Sequence, residues 1–154
     1  MKKLLLVGSN SIHCKRYIAG VLKTQLFEVA IITNQYMEEF ATNKQVLVNF
    51  ALHNLKAARI IRELITEFKP EVIHIHQANS YAWHTFRALK KITPKPKVIL
   101  TTWGSDVLIL PHSSKLMKKM VVANLVNADL ITSDSLFMSA QISKLIQPIE
   151  RNIK

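Results

Sequence analysis

The chain has 154 residues, of which 49% are hydrophobic and 20% are charged, and this composition indicates one globular domain and excludes a disordered chain. Cys14 is the only cysteine, which excludes an internal disulfide and fits a reducing, cytoplasmic location. The formal net charge of +11 indicates an anionic partner, for which nucleic acid, phosphorylated small molecules and an anionic lipid surface are candidates. No apolar run reaches the roughly twenty residues of a membrane-spanning helix, and the run at residues 4–7 is too short for a signal peptide.

Hydrophobic periodicity predicts strands that alternate with helices along the whole chain. The predicted strands are residues 3–7, 28–32, 45–49, 72–76, 98–100 and 130–132, and the predicted helices are 12–26, 55–68, 80–91, 113 or 114 to 127, and 135–146. Residues 34–43 are expected to form a loop. This alternation is typical of right-handed βαβ crossovers, so we expect one α/β domain over residues 1–154, with a Rossmann-like parallel sheet and helices on both faces. After Gln147 the sequence resembles the approach to a further strand, which suggests a piece of a longer protein.

The stretch KVILTTWGSD, residues 97–106, ends a predicted strand in a turn at Gly104. Ligands of an open parallel sheet bind outside the carboxyl ends of the strands, so this turn is expected to line a binding crevice. Its candidate residues are Trp103, Gly104, Ser105 and Asp106. Asp106 is the only acid within residues 77–128. Its carboxylate either caps the turn or takes a direct part in binding or catalysis.

A second turn, Gly8-Ser9-Asn10-Ser11-Ile12-His13, follows the first predicted strand. It lacks the later glycines of GxGxxG, which disfavours a nicotinamide dinucleotide, and the absence of a GxxxxGK[ST] motif excludes a P-loop NTPase. Free N–H groups and hydroxyls at the start of a helix suit a phosphate or a sugar. The alternative is that Asn10 or Ser11 is simply the N-cap of that helix.

Two histidines, His74 and His76, alternate with isoleucines on the fourth predicted strand, so both imidazoles face the same side of the sheet. An HxH pair on a strand holds a metal only when a third ligand converges, and no suitably spaced ligand is evident, so we expect no metal site. We expect His74 to be a hydrogen-bonded core residue. His76, Gln77 and Asn79 are expected to reach the crevice as polar ligands.

Basic side chains concentrate on two elements, the first with Arg87, Lys90, Lys91, Lys95 and Lys97 and the second with Lys115, Lys118 and Lys119. Cations near the start of a helix oppose its dipole at a cost of about 0.3–1 kcal/mol each, so local stability does not explain the second group. Contact with an anionic membrane explains it, and a merely solvated basic face is the alternative. Nucleic acid is disfavoured because aromatic residues are not interleaved with these cations.

Four stretches together resemble the N-terminal domain of a GT-B glycosyltransferase, of the kind found in the retaining nucleotide-sugar enzymes of glycosyltransferase family 4. They are LLLVGSNSIH, PEVIHIHQAN, VILTTWGSD and NADLITSDS. The resemblance implies two Rossmann-like domains that face each other across a cleft, the first mainly holding the acceptor and the second the donor, a UDP- or GDP-sugar. The chain would then be the acceptor half, with its C-terminal donor domain absent, and nearly inactive alone.

The resemblance also implies roles for individual residues. The turn from Gly8 to Ser11, together with His13, would approach the donor phosphate and the acceptor, and residues 76–79 would line the cleft. Gly104 to Asp106 would lie close to the transferred sugar, with Asp106 and His76 as the catalytic candidates. Trp103 stands where many members have a histidine, and an indole stacks on a sugar face but cannot carry a proton.

The implied reaction retains the configuration at the anomeric carbon. It passes through an oxocarbenium-like ion pair, in which the leaving diphosphate helps to deprotonate the acceptor. The implied product is a cell-surface polysaccharide or a lipid-linked glycan, made in the cytoplasm or peripherally at the inner face of the membrane. The alternative from another class is a standalone flavodoxin-like module that binds an anionic ligand.

Overall fold

A computed structural model shows a parallel sheet of six strands within residues 1–150, the residues that the structure describes; of residues 148–150 it describes only the backbone. The strands are β1 Lys2–Val7, β2 Phe27–Thr33, β3 Lys44–Leu47, β4 Val72–His76, β5 Lys97–Thr101 and β6 Leu130–Thr132. Their order is β3-β2-β1-β4-β5-β6, and every neighbouring pair is parallel. This is the Rossmann order, which confirms the predicted α/β fold. The flavodoxin-like topology of the alternative is wrong, because that fold has the order 2-1-3-4-5.

Each predicted helix is present, with shifted ends. The α-helices are α1 Ile12–Lys23, α2 Ala57–Phe68, α3 Ser80–Leu89, α4 Leu110–Ser113, α5 Lys115–Asn127 and α6 Leu136–Glu150. Helix α1 ends three residues early, and Gln25 just beyond it has a left-handed φ of 54°. The predicted loop contains a 3-10 turn at Glu38–Phe40. A π-helical turn at Ser105–Ile109 and the short α4 were not predicted.

Both faces of the sheet are buried in its centre, and β1 shows this most clearly. Leu5 and Val7 belong to one buried cluster that includes residues of α2, α3, α5 and α6. Leu4 and Leu6 belong to a second cluster, on the other face, with Ile18 of α1. Burial on both faces explains why the strand has a continuous apolar run rather than alternating apolar and polar residues.

Two expectations near helix ends are wrong. The helix predicted to begin at residue 55 begins only at Ala57, so Leu55 precedes its buried face and is 76% exposed. Residues 148–150 do not approach a strand, since α6 continues to Glu150. Residues 151–154, the rest of that predicted strand approach, lie outside the described residues. Within residues 1–150, no helix has both the length and the apolar character needed to cross a bilayer.

Candidate functional site

The carboxyl ends of β1, β4 and β5 meet around one small cavity of about 250 Å³, which we call the crevice. Its lining residues come from the three strand ends and from the start of α1, and are Ser9, Ser11, His13, His76, Gln77, Trp103 and Ser105. Seven of the predicted site residues therefore share one cavity. The parallel sheet accounts for this, because parallel strands end at the same edge.

A pair of stacked imidazoles lies beneath the crevice. The ring centroids of His74 and His76 are 4.6 Å apart, as expected for alternate residues of one strand. His74 is bonded on both ring nitrogens, to the Tyr17 hydroxyl at 2.7 Å and to Thr101 Oγ1 at 2.6 Å. Burial lowers the pKa of His74 to about 4, so its ring is neutral near pH 7. The prediction of a hydrogen-bonded core histidine is confirmed.

His76 differs from His74 because neither of its ring nitrogens has a hydrogen-bond partner among the described residues. The residue is 2% exposed, and it lines the crevice. Burial, together with the neighbouring His74, lowers the pKa of His76 to about 3. A neutral imidazole has one donor and one acceptor, and a buried pair of this kind is costly when unbonded. The ring is therefore suited to hydrogen-bond a polar ligand in the crevice.

Gly8 is required by close packing. A Cβ at this position would lie 2.7 Å from Cys14 Sγ and 3.3 Å from His76 Cβ, so a larger residue would displace the imidazole. Burial raises the pKa of the Cys14 thiol to about 11, which keeps the thiol protonated and unreactive at neutral pH. Gly8 thus allows β1 and α1 to approach His76.

The aromatic rings of Trp103 and His13 lie side by side in the lining of the crevice. Their ring centroids are 4.9 Å apart, and the Trp103 ring lies 5.8 Å from the His76 ring. The turn that carries Trp103 depends on Gly104, whose φ of 91° and ψ of −65° are close to the strained γ-turn geometry that glycine tolerates best. Gly104 itself shapes the turn and is not among the lining residues.

Asp106 reaches this end of the sheet, but its carboxylate points inward and is 2% exposed. Oδ2 accepts a hydrogen bond from the Ala78 N–H at 2.7 Å, and Oδ1 accepts one from the Trp103 N–H at 2.9 Å. Burial raises the pKa of Asp106, while these backbone N–H groups act to lower it. Of the two alternatives left open by the sequence, the geometry favours the one in which Asp106 organises the turn.

Three other predicted polar residues are used to fix the backbone. Ser11 is the N-cap of α1 through a bond from the Cys14 N–H to its Oγ, and it also lines the crevice. Asn10 lies outside the lining, because its Nδ2 donates to the Tyr36 carbonyl. Asn79 caps α3, since its Oδ1 accepts from the Tyr81 N–H.

Gln77 lines the crevice in a left-handed conformation, with a φ of 80°. Its N–H donates to the Thr101 carbonyl at 2.8 Å, which joins the ends of β4 and β5. A non-glycine residue in this conformation stores about 1–3 kcal/mol of strain, and such strain is common at functional sites. Its side-chain oxygen accepts from Asn79 Nδ2 at 3.1 Å.

Sequence reasoning missed three residues that support the site. Tyr17 and Thr101 hold His74, and Asn124 of α5 donates to the Ala78 and Asn79 carbonyls at 3.0 and 2.9 Å. The position of Tyr17, one helical turn after His13, was the available signal. Nothing in the sequence indicated Asn124, which is 46 positions from Ala78.

The predicted membrane-facing lysines are exposed on α5. Lys115, Lys118 and Lys119 follow the N-cap Ser114, which accepts from the Met117 N–H. None of the three forms an ion pair among the described residues. Within residues 1–150, no three His, Cys, Asp or Glu side chains lie close enough together to hold a metal ion.

Comparison with known proteins connects this geometry to enzymes that act on sugars. Residues 2–135 match the family described as glycosyl transferase 4-like. The N-acetyl-alpha-D-glucosaminyl L-malate synthase of Bacillus anthracis is 20% identical over 118 residues, which cover 77% of this chain and 31% of that enzyme. The chain therefore spans about a third of the length of this curated relative.

Solved structures share the fold at low sequence identity. Sucrose-phosphate synthase from Thermosynechococcus elongatus matches with a TM-score of 0.70 and 10% identity, over 95% of this chain and 45% of that one. The complex of S. aureus MnaA with UDP matches with a TM-score of 0.69 and 14% identity, over 94% and 40%. The fold is that of one half of a GT-B glycosyltransferase, as predicted. Since the family match extends over residues 2–135, the chain belongs to the glycosyl transferase 4-like family.

Proposed function

We propose that this chain is the acceptor-binding half of a retaining glycosyltransferase, which transfers a sugar from a nucleotide-sugar to a cell-surface polysaccharide or a lipid-linked acceptor. The observation that carries the proposal is the crevice, in which His76 presents two unbonded ring nitrogens at the carboxyl edge of the sheet. Family membership supplies the reaction class. The donor in this proposal is a UDP- or GDP-sugar, and the UDP bound by S. aureus MnaA supports a nucleotide ligand for this fold.

Within this proposal, His76 binds a substrate hydroxyl rather than carrying a proton. With a pKa of about 3 the ring is neutral at physiological pH, and it is a weak base. Its nitrogens can donate one hydrogen bond and accept another, as a sugar hydroxyl requires. The half-buried indole of Trp103 provides an apolar surface for a sugar ring, beside the hydroxyl of Ser105. Asp106 acts on the reaction through the turn that it holds.

The reaction itself follows from the family resemblance. The leaving diphosphate helps to deprotonate the acceptor within an oxocarbenium-like ion pair, and the configuration at the anomeric carbon is retained. Closure of two domains over the crevice excludes water from this ion pair. In this arrangement the present chain orients the acceptor, and a companion domain binds the donor nucleotide.

Exposed apolar side chains support the companion domain. Leu136 and Phe137, at the start of α6, are 91% and 64% exposed, although α6 follows directly from the carboxyl end of β6. Apolar side chains concentrated at one end of a domain are typical of a surface that another domain covers.

The exposed lysines of α5 support a peripheral location at the inner face of the membrane. Lys115, Lys118 and Lys119 lack acidic partners among the described residues, and anionic headgroups would provide the missing counter-charge. Vesicle sedimentation tests this point. We expect the chain to sediment with phosphatidylglycerol vesicles and not with phosphatidylcholine vesicles, and the triple change to alanine to abolish sedimentation.

A matched control removes the same charge elsewhere. Lys2, Lys23 and Lys56 are exposed and lie outside α5, and their triple change to alanine should leave vesicle binding near the wild-type level. Equal binding by the two triple variants would mean that the α5 lysines are a solvated basic face and not a membrane contact.

Transfer by the full-length protein tests the main proposal. The protein is incubated with a panel of UDP- and GDP-sugars, together with saccharides and polyprenyl-diphosphate-linked saccharides as acceptors. We expect release of the nucleoside diphosphate to depend on one donor and one acceptor class, and the product to keep the anomeric configuration of the donor. Inverted product, or sugar transfer that persists without the crevice-bearing domain, would contradict the proposal.

A further inference from the structure

A second groove, which shares no lining residue with the crevice, lies at the amino end of β5. It has a volume of about 330 Å³ and is formed by α3, the α3–β5 connection, the start of β5 and the end of α5. The charged and aromatic residues that line it are Trp83, Phe86, Arg87, Lys90, Lys95 and Lys97, with Asp129 as the one acid. We call it the α3–α5 groove. Neither the family match nor the crevice accounts for it.

The charges around this groove are not balanced. Asp129 is already occupied, because its Oδ1 accepts from Lys97 Nζ at 3.0 Å and its Oδ2 accepts from the Val98 N–H at 2.8 Å. Arg87, Lys90 and Lys95 have no ion-pair partner among the described residues. Three uncompensated cations thus border one concave surface, which attracts anions.

Helix stability explains only part of this arrangement. Arg87 in the last turn of α3 and Lys90 at its C-cap interact favourably with the helix dipole. Lys95 lies outside the helix, on the connection that leads to β5, and no dipole holds it at the groove. A bound anion would reduce the repulsion among the three cations that line the groove.

Aromatic side chains also line the groove. The aromatic rings of Trp83 and Phe86 are half-buried on α3 and line the same space as the cations. An arginine guanidinium binds phosphate through two parallel hydrogen bonds, and aromatic side chains pack against flat rings. The lining therefore combines a phosphate-binding edge with a surface for a ring.

We propose that the α3–α5 groove is a second ligand site, which binds a small phosphate monoester carrying a flat ring. Arg87, Lys90 and Lys95 hold the phosphate, and Trp83 and Phe86 contact the ring. This site is independent of the proposed transfer reaction, so its failure would leave the crevice proposal unaffected. A phosphate monoester also occurs as the headgroup of phosphatidic acid, and the experiment separates the two sources.

Tryptophan fluorescence reports on this groove directly. The chain has two tryptophans, Trp83 in the groove and Trp103 in the crevice, so a Trp103→Phe background leaves Trp83 as the reporter. The probes are inorganic phosphate, adenosine monophosphate and adenosine, at constant ionic strength. We expect a saturable change with adenosine monophosphate, weaker binding of inorganic phosphate, and no binding of adenosine.

Two double variants locate the binding. Arg87→Ala with Lys90→Ala removes two groove cations, and Lys23→Ala with Lys56→Ala removes the same charge from exposed positions outside the groove. In the Trp103→Phe background we expect the first pair to weaken binding of adenosine monophosphate at least about tenfold, and the second pair to leave it unchanged. Circular dichroism confirms that both variants are folded.

Three outcomes would contradict the proposal. Equal weakening by both pairs would mean a diffuse charge effect, and no saturable change with either phosphate probe would mean that the groove is not a phosphate site. The groove would be assigned to lipid if Trp83 fluorescence responded to phosphatidic acid vesicles and not to adenosine monophosphate. That response should be lost in the double variant Arg87→Ala with Lys90→Ala. Each of these results overturns the proposal of a small ring-bearing ligand.

Discussion

The carboxylate of Asp106 accepts a hydrogen bond from the backbone N–H of Ala78 at 2.7 Å, across 28 positions of the sequence. Through its other oxygen Asp106 also accepts from Trp103, so one buried side chain ties the segment after β4 to the segment after β5. The two sides of the crevice are therefore held at a fixed spacing. The spacing of the crevice walls depends on Asp106 even though Asp106 is not among the lining residues.

Asp106→Asn should destabilise the chain by about 1–3 kcal/mol, because the new NH₂ group would face a backbone N–H and leave that buried donor unbonded. The measurement is the free energy of unfolding from urea denaturation. Asp134→Asn, at an exposed position, is the control and should change the free energy little. Equal small effects of the two changes would show that the two backbone bonds contribute no net stability.

Gly8→Ala should destabilise the chain by about 1–3 kcal/mol, because the added Cβ would lie 2.7 Å from Cys14 Sγ. Gly20→Ala is the matched control: Gly20 lies within α1 with no atom near its added Cβ, and should gain about 0.5–1 kcal/mol from helix propensity. Thermal and urea unfolding of both variants measure these changes. Adding Cys14→Ala should restore part of the free energy of unfolding that Gly8→Ala removes. No such recovery would argue against the packing explanation.

The stacked histidines should make the chain sensitive to acid. In the unfolded chain both titrate near their usual pKa of about 6.5, whereas in the folded chain the pKa is about 4 for His74 and about 3 for His76. Below pH 6.5 the two histidines therefore bind protons in the unfolded state but not in the folded state. Stability is fully present above pH 6.5 and is lost progressively as the pH falls through 4 and toward 3.

Urea unfolding at several pH values between 7.5 and 4 measures this dependence. Each histidine contributes a slope of at most about 1.4 kcal/mol per pH unit. His76→Gln should remove one contribution and flatten the curve below pH 6.5, whereas His53→Gln, at an exposed site, should not. A His76→Gln curve parallel to that of the wild type would mean that the His76 ring titrates alike in the folded and unfolded states, and would contradict its lowered pKa.

The sheet and the position of the crevice could be predicted because they follow from local patterns. Period-two patterns and apolar runs located the strands, and the rule that parallel strands share a carboxyl edge brought Ser9, His76 and Trp103 to one cavity. The shared face of His74 and His76 followed from their alternate positions on β4. Each of these inferences needs only the spacing of residues along one element.

The inward orientation of Asp106 could not be predicted, because it depends on an N–H of a different crossover. The sequence shows an acid after a glycine, which fits an exposed ligand and a buried cap equally well. The roles of Tyr17 and Asn124 are hidden for the same reason, since their partners are 57 and 46 positions away. The π-helical turn after Gly104 leaves no periodicity that distinguishes it from a loop.

Turnover of a His76 variant of the full-length protein tests the central claim, that the crevice binds substrate through this ring. His76→Asn is compared with His53→Asn, in variants whose folding is confirmed by circular dichroism. Loss of one substrate hydrogen bond should lower kcat/KM for sugar transfer about tenfold. We expect that decrease for His76→Asn alone, and wild-type kcat/KM for a folded His76→Asn protein would contradict the claim.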